Sequence, residues 1–260
     1  MEAAKVAIEN LTVEYPLGQT SVRALSAVHL ALPPGEFCAV VGPSGCGKST
    51  LLRVVAGLQP ATHGAVTIQQ QNPDTPLQAM VFQGRSVFPW MTVLDNAAYG
   101  LRQRGVPQAE REEIAERWLR LVGLGDFLRA WPRQLSEGMR QRVAIVRAFA
   151  VDPEVLLMDE PFGALDEQTR LVLQDELLRV WQATNKTVLF VTHSIDEAMI
   201  LADRIIVLSS RPGRVIADIA VPFPRPRSVE AVRSDPAFGA LFLRIWGLLR
   251  TETNDLVVAG

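Results

Sequence analysis

The sequence predicts an α/β fold built around a mainly parallel sheet. From Pro153 onward, short apolar runs alternate with helical patterns, as strands and crossover helices do in such a sheet. Helical patterns are concentrated at about 93–150, which predicts a helical subdomain inserted between two parts of the sheet. The first segments instead alternate apolar and polar residues, which is typical of an antiparallel β subdomain.

The strands and helices follow from these patterns in chain order. The predicted strands are Val6–Tyr15, Val22–Leu32, Phe37–Val41, Ala65–Gln69, Ala79–Phe82, Val155–Met158, Thr187–Val191 and Ile205–Leu208. The first two form a hairpin with Pro16-Leu-Gly18 in its turn region. The predicted helices are Ser49–Ala56, Ala109–Val122, Arg140–Ala150, Gln168–Ala183, Ile195–Ala202 and a C-terminal one carrying Phe238, Leu241, Phe242, Ile245, Leu248 and Leu249.

We expect one large domain over residues 4–220, with its helical subdomain at about 88–150. A Pro-rich run, Pro222-Phe-Pro-Arg-Pro226, ends this core, and residues 221–260 form an extension with a helix.

Composition narrows the class of protein. The chain has 260 residues, of which 48% are hydrophobic, so it folds into a globular core. A net charge of −2 gives no electrostatic argument for nucleic acid as a partner. The two cysteines, Cys38 and Cys46, have neither metal-site nor disulfide spacing, which indicates a reducing cytoplasmic compartment. The N-terminus lacks a signal-peptide layout, and no apolar run approaches the ~20 residues of a membrane span.

The stretch Gly42-Pro43-Ser44-Gly45-Cys46-Gly47-Lys48-Ser49-Thr50 matches the phosphate-binding pattern G-x-x-x-x-G-K-[ST]. It lies between a predicted buried strand and a predicted helix, as this motif requires. Its glycines let backbone N–H groups face a phosphate, and the helix N-terminus adds partial positive charge. Lys48 is predicted to reach the β- and γ-phosphates and Ser49 to bind Mg²⁺. The core is therefore predicted to be a P-loop NTPase (RecA-like) fold; an ordinary glycine turn is the alternative.

A second motif is the run Val155-Leu-Leu-Met-Asp159-Glu160. Four apolar residues followed by two carboxylates describe a buried strand that delivers acids to its C-terminal edge, where α/β sheets bind ligands. Asp159 is predicted to hold Mg²⁺, directly or through water, and Glu160 to polarise the attacking water. The alternative is a strand that ends in a solvated acidic turn.

A third motif is Leu135-Ser136-Glu137-Gly138-Met139. Ser136 is predicted to cap a helix whose start Gly138 keeps open, which makes a second phosphate-binding helix end. One nucleotide does not need two such ends from one subunit. Two copies packed head to tail would use both, each donating its serine turn to the other's γ-phosphate.

Together these residues resemble the ATP-binding cassette (ABC) ATPases of membrane transporters, over residues 4 to about 220. The resemblance implies a Mg-ATP site between two cassettes, which close on ATP and open after hydrolysis. It makes Tyr15 the aromatic that stacks on adenine and Gln83 the glutamine that contacts Mg²⁺ and water. His193 becomes the histidine at the γ-phosphate, and Gly163-Ala-Leu-Asp166 the loop that crosses to the opposite site. The alternatives are a packed strand aromatic for Tyr15, a loop amide for Gln83 and a satisfied strand-end histidine for His193.

Two departures from the family pattern concern the signature, usually Leu-Ser-Gly-Gly-Gln. Glu137 replaces its first glycine and Met139 its glutamine. A carboxylate near a triphosphate is repulsive unless it points away or pairs with an arginine, for which Arg140 and Arg142 are the candidates. We also expect Cys46 to be a reactive thiolate, because a lysine and a helix N-terminus lie beside it.

The subgroup resemblance is to the ATPases of nitrate, sulfonate and taurine-type bacterial importers. It rests on Val81–Val93, Leu135–Ala144, Asp159–Asp166 and Ser209–Arg214. It implies permease subunits docked at the Gln83–Met91 region, where Phe88 and Trp90 offer anchors or else pack within the helical subdomain. It also implies a second cassette, an indirectly coupled substrate-binding protein and a peripheral position on the cytoplasmic face of the membrane. The rivals are a soluble ABC ATPase in translation or DNA repair, and a P-loop kinase or GTPase.

Overall fold

The computed structural model describes residues 4–18, 20–84, 87–163 and 165–258. Its strands are β1 Val6–Leu17, β2 Thr20–Leu32, β3 Phe37–Val41, β4 His63–Ile68, β5 Gln78–Val81, β6 Val155–Asp159, β7 Thr187–Val191, β8 Arg204–Leu208 and β9 Val215–Ala220. Its helices are α1 Lys48–Val55, α2 Val93–Gln103, α3 Gln108–Leu121, α4 Glu137–Ala150, α5 Glu167–Thr184, α6 Ile195–Leu201, α7 Val229–Arg233 and α8 Ala237–Val258.

The central sheet has six strands in the order β5-β6-β7-β3-β8-β9. All neighbours are parallel except β8 and β9, which are antiparallel. Every residue of β3, β6 and β7 is buried, because helices or a second sheet cover both faces. This arrangement brings the C-terminal ends of β3 and β6 to one edge, and the predicted phosphate and carboxylate motifs follow those two ends.

A second sheet of three antiparallel strands, in the order β2-β1-β4, is formed mainly from the N-terminal segment. Its buried residues, among them Val6, Ile8 and Leu25, share an apolar cluster with Leu51 and Leu52 of α1. The predicted hairpin is present, although its strands extend to Leu17 and Thr20 and leave a tighter turn than expected; Gln19 lies outside the described residues.

Helices α2, α3 and α4 lie between β5 and β6 in the chain and enclose a small core of their own around Val93, Ala97, Leu119 and Val143. On the opposite side of the sheet from α1, the helices α4, α5, α6 and α8 cover a cluster that includes Phe37 and Phe190. The mixed α/β fold with an antiparallel β subdomain and an inserted helical subdomain is therefore present as predicted. Strand β9 and helices α2 and α7 were not among the individually predicted elements, although α2 lies within the predicted helical subdomain.

Helix α8 packs on the same core through Leu241 and Ile245, which are buried. Within the described part of the chain, no helix has the length and apolar character needed to cross a bilayer.

Candidate nucleotide site

The predicted phosphate loop occupies the turn from β3 into α1. Gly47, immediately before α1, has φ +106°, and a Cβ there would lie 2.7 Å from Leu25 Cδ2. A Cβ on Gly42 would lie 2.8 Å from the Cys46 sulfur. Side chains at these positions would therefore break the loop's close packing. The Lys48 ammonium donates hydrogen bonds to the carbonyls of Gly42, at 2.9 Å, and Pro43, at 3.0 Å.

A cavity of about 600 Å³ opens over this loop. Six of its lining residues belong to the predicted motif: Ser44, Gly45, Gly47, Lys48, Ser49 and Thr50. Four more were predicted from distant parts of the chain: Tyr15, Gln83, Glu160 and His193. The fold thus brings one predicted side chain from each of four separate segments to the phosphate loop.

The two acidic residues at the end of β6 have different surroundings. Asp159 is buried and accepts a hydrogen bond from the Ser49 hydroxyl at 2.8 Å. Burial raises the pKa of Asp159, and the hydrogen bond from Ser49 offsets part of that increase. An oxygen pair of this kind suits a hard divalent cation.

Glu160 is held by polar groups from two other segments of the chain, one after β5 and one at the end of β7. Its backbone N–H donates to the Val191 carbonyl at 2.9 Å, and its φ of +42° is an unusual conformation for a side-chain-bearing residue. Gln83 Nε2 donates to Glu160 Oε2 at 2.9 Å, and His193 Nδ1 lies 3.2 Å from the same oxygen. The two side chains therefore fix one carboxylate oxygen at the cavity wall.

Tyr15 contributes both a ring and a hydroxyl group. The hydroxyl lies 3.1 Å from Thr50 Oγ1 and donates to Gln59 Oε1 at 2.9 Å, which ties β1 to the first turn of α1 and to the loop that follows α1. The ring is 39% exposed and lines the cavity, so it is not a fully packed strand aromatic.

The predicted serine turn lies apart from this cavity. Ser136 caps α4 by accepting a hydrogen bond from the Met139 N–H at 3.2 Å, and neither Ser136 nor Gly138 lines the cavity. Glu137 forms an ion pair with Arg140, which confirms one of the two predicted pairings; Arg142 pairs instead with Glu176.

Gly138 has a packing constraint that the sequence did not reveal. A Cβ there would lie 2.5 Å from Thr169 Cγ2 on α5, so any larger residue would force the Thr169 side chain or the two helices to move. In the loop before α5, Asp166 caps that helix, while Ala164 lies outside the described residues.

The expected reactivity of Cys46 is wrong. Its side chain is only 1% exposed, and burial raises the pKa of its thiol more strongly than the nearby Lys48 lowers it. Proximity to a lysine can be read from the sequence, but the packing of the sulfur beneath the loop cannot. Burial also raises the pKa of the Cys38 thiol.

Three cavity residues were not predicted: Val22, Ala24 and Arg211. Val22 and Ala24 lie on β2, and Arg211 lies between β8 and β9. The stretch Ser209–Arg214 carried part of the subgroup resemblance, but nothing in its pattern indicated that Arg211 would reach the phosphate loop.

Comparison with known proteins identifies the class. A family model described as ABC transporter matches residues 25–163. A solved dimeric ATP-binding cassette, described as a post-hydrolysis state bound to ADP and Pi, superposes with a TM-score of 0.74 at 32% identity, covering 84% of this chain and all of that one. The chain therefore belongs to the ABC transporter family, and it is an ATP-binding ATPase cassette.

Its relatives narrow the class further. An uncharacterized ABC transporter ATP-binding protein from Methanocaldococcus jannaschii is 49% identical, over 86% of this chain and 84% of its own length. The taurine import ATP-binding protein TauB of Rhizobium johnstonii is 44% identical, over 91% and 92%. The bicarbonate transport ATP-binding protein CmpC of Synechococcus elongatus is 45% identical over 91% of this chain, which spans 36% of that longer protein. The chain is thus an ATPase subunit of importer-type systems, and an ATPase of translation or DNA repair is not favoured.

Proposed function

We propose that this ATPase drives a bacterial importer for a small anion such as nitrate, a sulfonate or taurine. The observation that carries the hydrolytic part of the proposal is the convergence of Gln83, Glu160 and His193 beside the phosphate loop, because it supplies a positioned carboxylate for water attack. Taurine is the substrate in the printed name of one relative and bicarbonate in that of another. Both are small molecules that carry an anionic group, which supports this class of cargo.

The residues present fit Mg-ATP. The cavity over the glycine loop has room for phosphates. Lys48 donates to two carbonyls of its own loop and would exchange them for phosphate oxygens. We propose nucleotide contacts for residues 42–50 and adenine stacking for Tyr15.

We assign Mg²⁺ to Ser49 and Asp159, with Gln83 nearby. Among the described residues, no cluster of three His, Cys, Asp or Glu side chains could hold a metal unaided. The phosphates would therefore complete the oxygen shell, as is usual for Mg²⁺ in nucleotide sites. When bound, the ion neutralises charge on the transferring phosphoryl group.

We assign the general base to Glu160. The hydrogen bond from Gln83 and the His193 ring hold the carboxylate oxygen in place, so that it can accept a proton from water. Positioned acid–base groups of this kind contribute roughly 10²- to 10⁴-fold in rate. His193 faces the cavity as well and is proposed to contact the γ-phosphate.

The site is proposed to be completed by a second cassette. Ser136 is exposed at the start of α4 and does not line the cavity of its own chain, so its turn can serve an ATP held by another copy. A carboxylate is tolerable in this turn because Arg140 neutralises Glu137.

The permease contact is proposed for the Gln83–Met91 region, of which Arg85 and Ser86 lie outside the described residues. Trp90 is 67% exposed and stacks on Phe88 with ring centroids 5.5 Å apart. The fully buried Asn96 secures this segment with hydrogen bonds to the backbone of Phe88, Met91 and Thr92. A solvent-exposed tryptophan whose backbone is held in place by neighbouring hydrogen bonds is a good anchor residue for a protein–protein interface.

This contact would place the cassette on the cytoplasmic face of the membrane, with a substrate-binding protein coupled only through the permease. We propose further that residues 4–220 form the ATPase unit, with 88–150 as its helical subdomain and 221–260 as an extension that packs on it.

The chemistry is tested with Glu160→Gln and Lys48→Ala. Glu160→Gln is expected to bind ATP normally and hydrolyse it at least a hundredfold more slowly, because the proton acceptor is lost while Lys48, Ser49 and Asp159 remain. Lys48→Ala is expected to weaken nucleotide binding itself. Steady-state phosphate release and equilibrium ATP binding measure the two effects, with Glu110→Gln on the exposed surface of α3 as the control. Full hydrolysis by Glu160→Gln would refute its role.

The shared site is tested in the Glu160→Gln background, where ATP persists. Light scattering should show dimers when ATP is added and monomers after its removal. Adding Ser136→Arg should abolish the dimer and leave ATP binding to the monomer unchanged. Normal dimerisation of that variant would exclude the two-subunit site.

A further inference from the structure

Arg211 lies at the nucleotide cavity and has no assigned role. It lines the cavity with Lys48, and its Nη2 lies 3.6 Å from the position that a Cβ on Gly45 would occupy. Within the described part of the chain, no side chain or carbonyl forms a hydrogen bond or ion pair with its guanidinium. Among the described residues, the exposed guanidinium of Arg211 therefore faces the phosphate loop with its N–H groups free to donate hydrogen bonds.

The loop that carries Arg211, residues 209–214, is fixed against the phosphate loop. The Gly213 N–H donates to the Ala24 carbonyl at 2.9 Å, and the Gly213 carbonyl accepts from the Ser26 N–H at 3.0 Å. A Cβ on Gly213 would lie 2.2 Å from the Cys46 carbonyl, so the two loops touch through their backbones. This contact sets the position of Arg211 relative to the cavity.

The C-terminal helix α8 holds the other side of the same loop. Glu252 Oε2 accepts hydrogen bonds from the Ser210 N–H, at 2.9 Å, and from the Ser210 hydroxyl, at 3.2 Å. Ser210 immediately precedes Arg211. Glu252, a residue of the C-terminal extension, therefore contacts the residue that immediately precedes Arg211 in the cavity wall.

We propose that Arg211 binds a phosphate group of the nucleotide, as a second cation beside Lys48, and that Glu252 is its positioning residue. The proposal rests on the cavity being the nucleotide site. A guanidinium offers paired N–H donors that match two phosphate oxygens, and such charge-assisted bonds are about twice as strong as neutral ones. The C-terminal helix would thereby contribute to nucleotide affinity without touching the nucleotide.

The first experiment measures ADP affinity by calorimetry on the full chain. Arg211→Ala is expected to weaken ADP binding about tenfold. Arg211→Lys is expected to weaken it less, because lysine keeps the positive charge but lacks the paired N–H donors of the guanidinium. Arg214→Ala is the matched control: Arg214 is an exposed arginine of the same loop and does not line the cavity. Inorganic pyrophosphate, used as a competitor, should lose affinity in Arg211→Ala by the same factor as ADP.

Unchanged ADP affinity in Arg211→Ala overturns the proposal, and so does unchanged pyrophosphate competition, which would place Arg211 on the base or ribose. If the wild-type chain binds no ADP, or if it binds ADP with an affinity that Lys48→Ala does not change, the cavity is not the nucleotide site and both proposals fail. Binding by the wild type that depends on Lys48 but not on Arg211 removes this inference alone.

The second experiment concerns Glu252. Glu252→Ala is expected to weaken ADP binding about threefold, and Glu252→Gln to restore it, because the amide oxygen still accepts from Ser210. In the Arg211→Ala background, Glu252→Ala should have no further effect. An equal loss in both backgrounds would show that Glu252 acts on the fold in general and would overturn its positioning role.

Discussion

Substitutions at Gly138 can separate its role in helix packing from its proposed role in nucleotide binding. Gly138→Ala would place a Cβ 2.5 Å from Thr169 Cγ2, about 0.9 Å inside the 3.4 Å at which ordinary contact begins. Overpacking of this size costs about 1–3 kcal/mol, and the gain in helix propensity over glycine returns up to about 1 kcal/mol. If the full gain of about 1 kcal/mol is subtracted, a net loss of about 0–2 kcal/mol remains, which should lower the Tm by up to about 8 °C.

Thr169→Ser supplies the matching rescue. It removes the clashing methyl group but keeps the hydroxyl that donates to Asp166 Oδ2 at 2.7 Å. The next nearest atom to the new Cβ is Thr169 Cβ at 3.9 Å, which is an ordinary contact. The double variant should therefore be more stable than the sum of the single effects predicts, by about 1 kcal/mol.

Urea denaturation of the four proteins measures this coupling. A coupling below about 0.5 kcal/mol would mean that α4 and α5 shift apart freely, and the steric reasoning would be refuted. Steady-state ATPase on the stable double variant then separates the two roles of Gly138. We expect activity to remain reduced, because the added methyl group still narrows the helix start that is proposed to face the opposite phosphate.

Three further predictions concern other parts of the chain. Burial raises the pKa of Glu154, but hydrogen bonds, chiefly from Lys5, outweigh burial and lower this pKa to about 2. The ionised carboxylate therefore stabilises the folded state above its ordinary pKa of 4.5, and this contribution to the free energy of unfolding is lost as the pH falls toward 2. Tm measured from pH 7 to pH 3 should therefore fall less in Glu154→Gln than in the wild type. Iodoacetamide should label Cys38 and Cys46 slowly in the folded protein and fully in urea, as read by intact mass, because both thiols are buried; rapid native labelling would contradict this. Trp90→Ala should retain the wild-type Tm and ATP-driven dimers but reduce permease capture in a pull-down, since its ring is 67% exposed.

The parts of the fold that sequence predicted are those whose signal is local. β3, β6 and β7 are buried on both faces and so contain runs of four or five consecutive apolar residues. Strand β9 is an edge strand with mixed burial, and only its pairing with β8 makes it a strand. That pairing depends on tertiary structure and leaves no periodic pattern in the sequence.

The same distinction applies to the site. Lys48, Ser49 and Asp159 lie in contiguous motifs whose spacing carries the chemistry, and the structure places them together. Arg211 reaches the cavity only because Gly213 packs on the Cys46 carbonyl, a contact between segments more than 160 residues apart. The prediction that the Cys46 thiol is reactive was wrong for a related reason. The sequence shows the neighbouring charge of Lys48 but not the burial whose effect on the thiol pKa outweighs it.

We propose that the geometry around Glu160 links the proposed permease contact to hydrolysis. Gln83 and His193 share one oxygen of this carboxylate, so a displacement of either changes the hydrogen bonds that orient the proposed base. Gln83 begins the segment that ends in the exposed Trp90, and Asn96 ties the far end of that segment to α2. Only seven positions separate Gln83 from Trp90, and Arg85 and Ser86 between them lie outside the described residues. We propose that a partner bound at Trp90 acts on hydrolysis through this stretch, by displacing the Gln83 side chain from the Glu160 carboxylate.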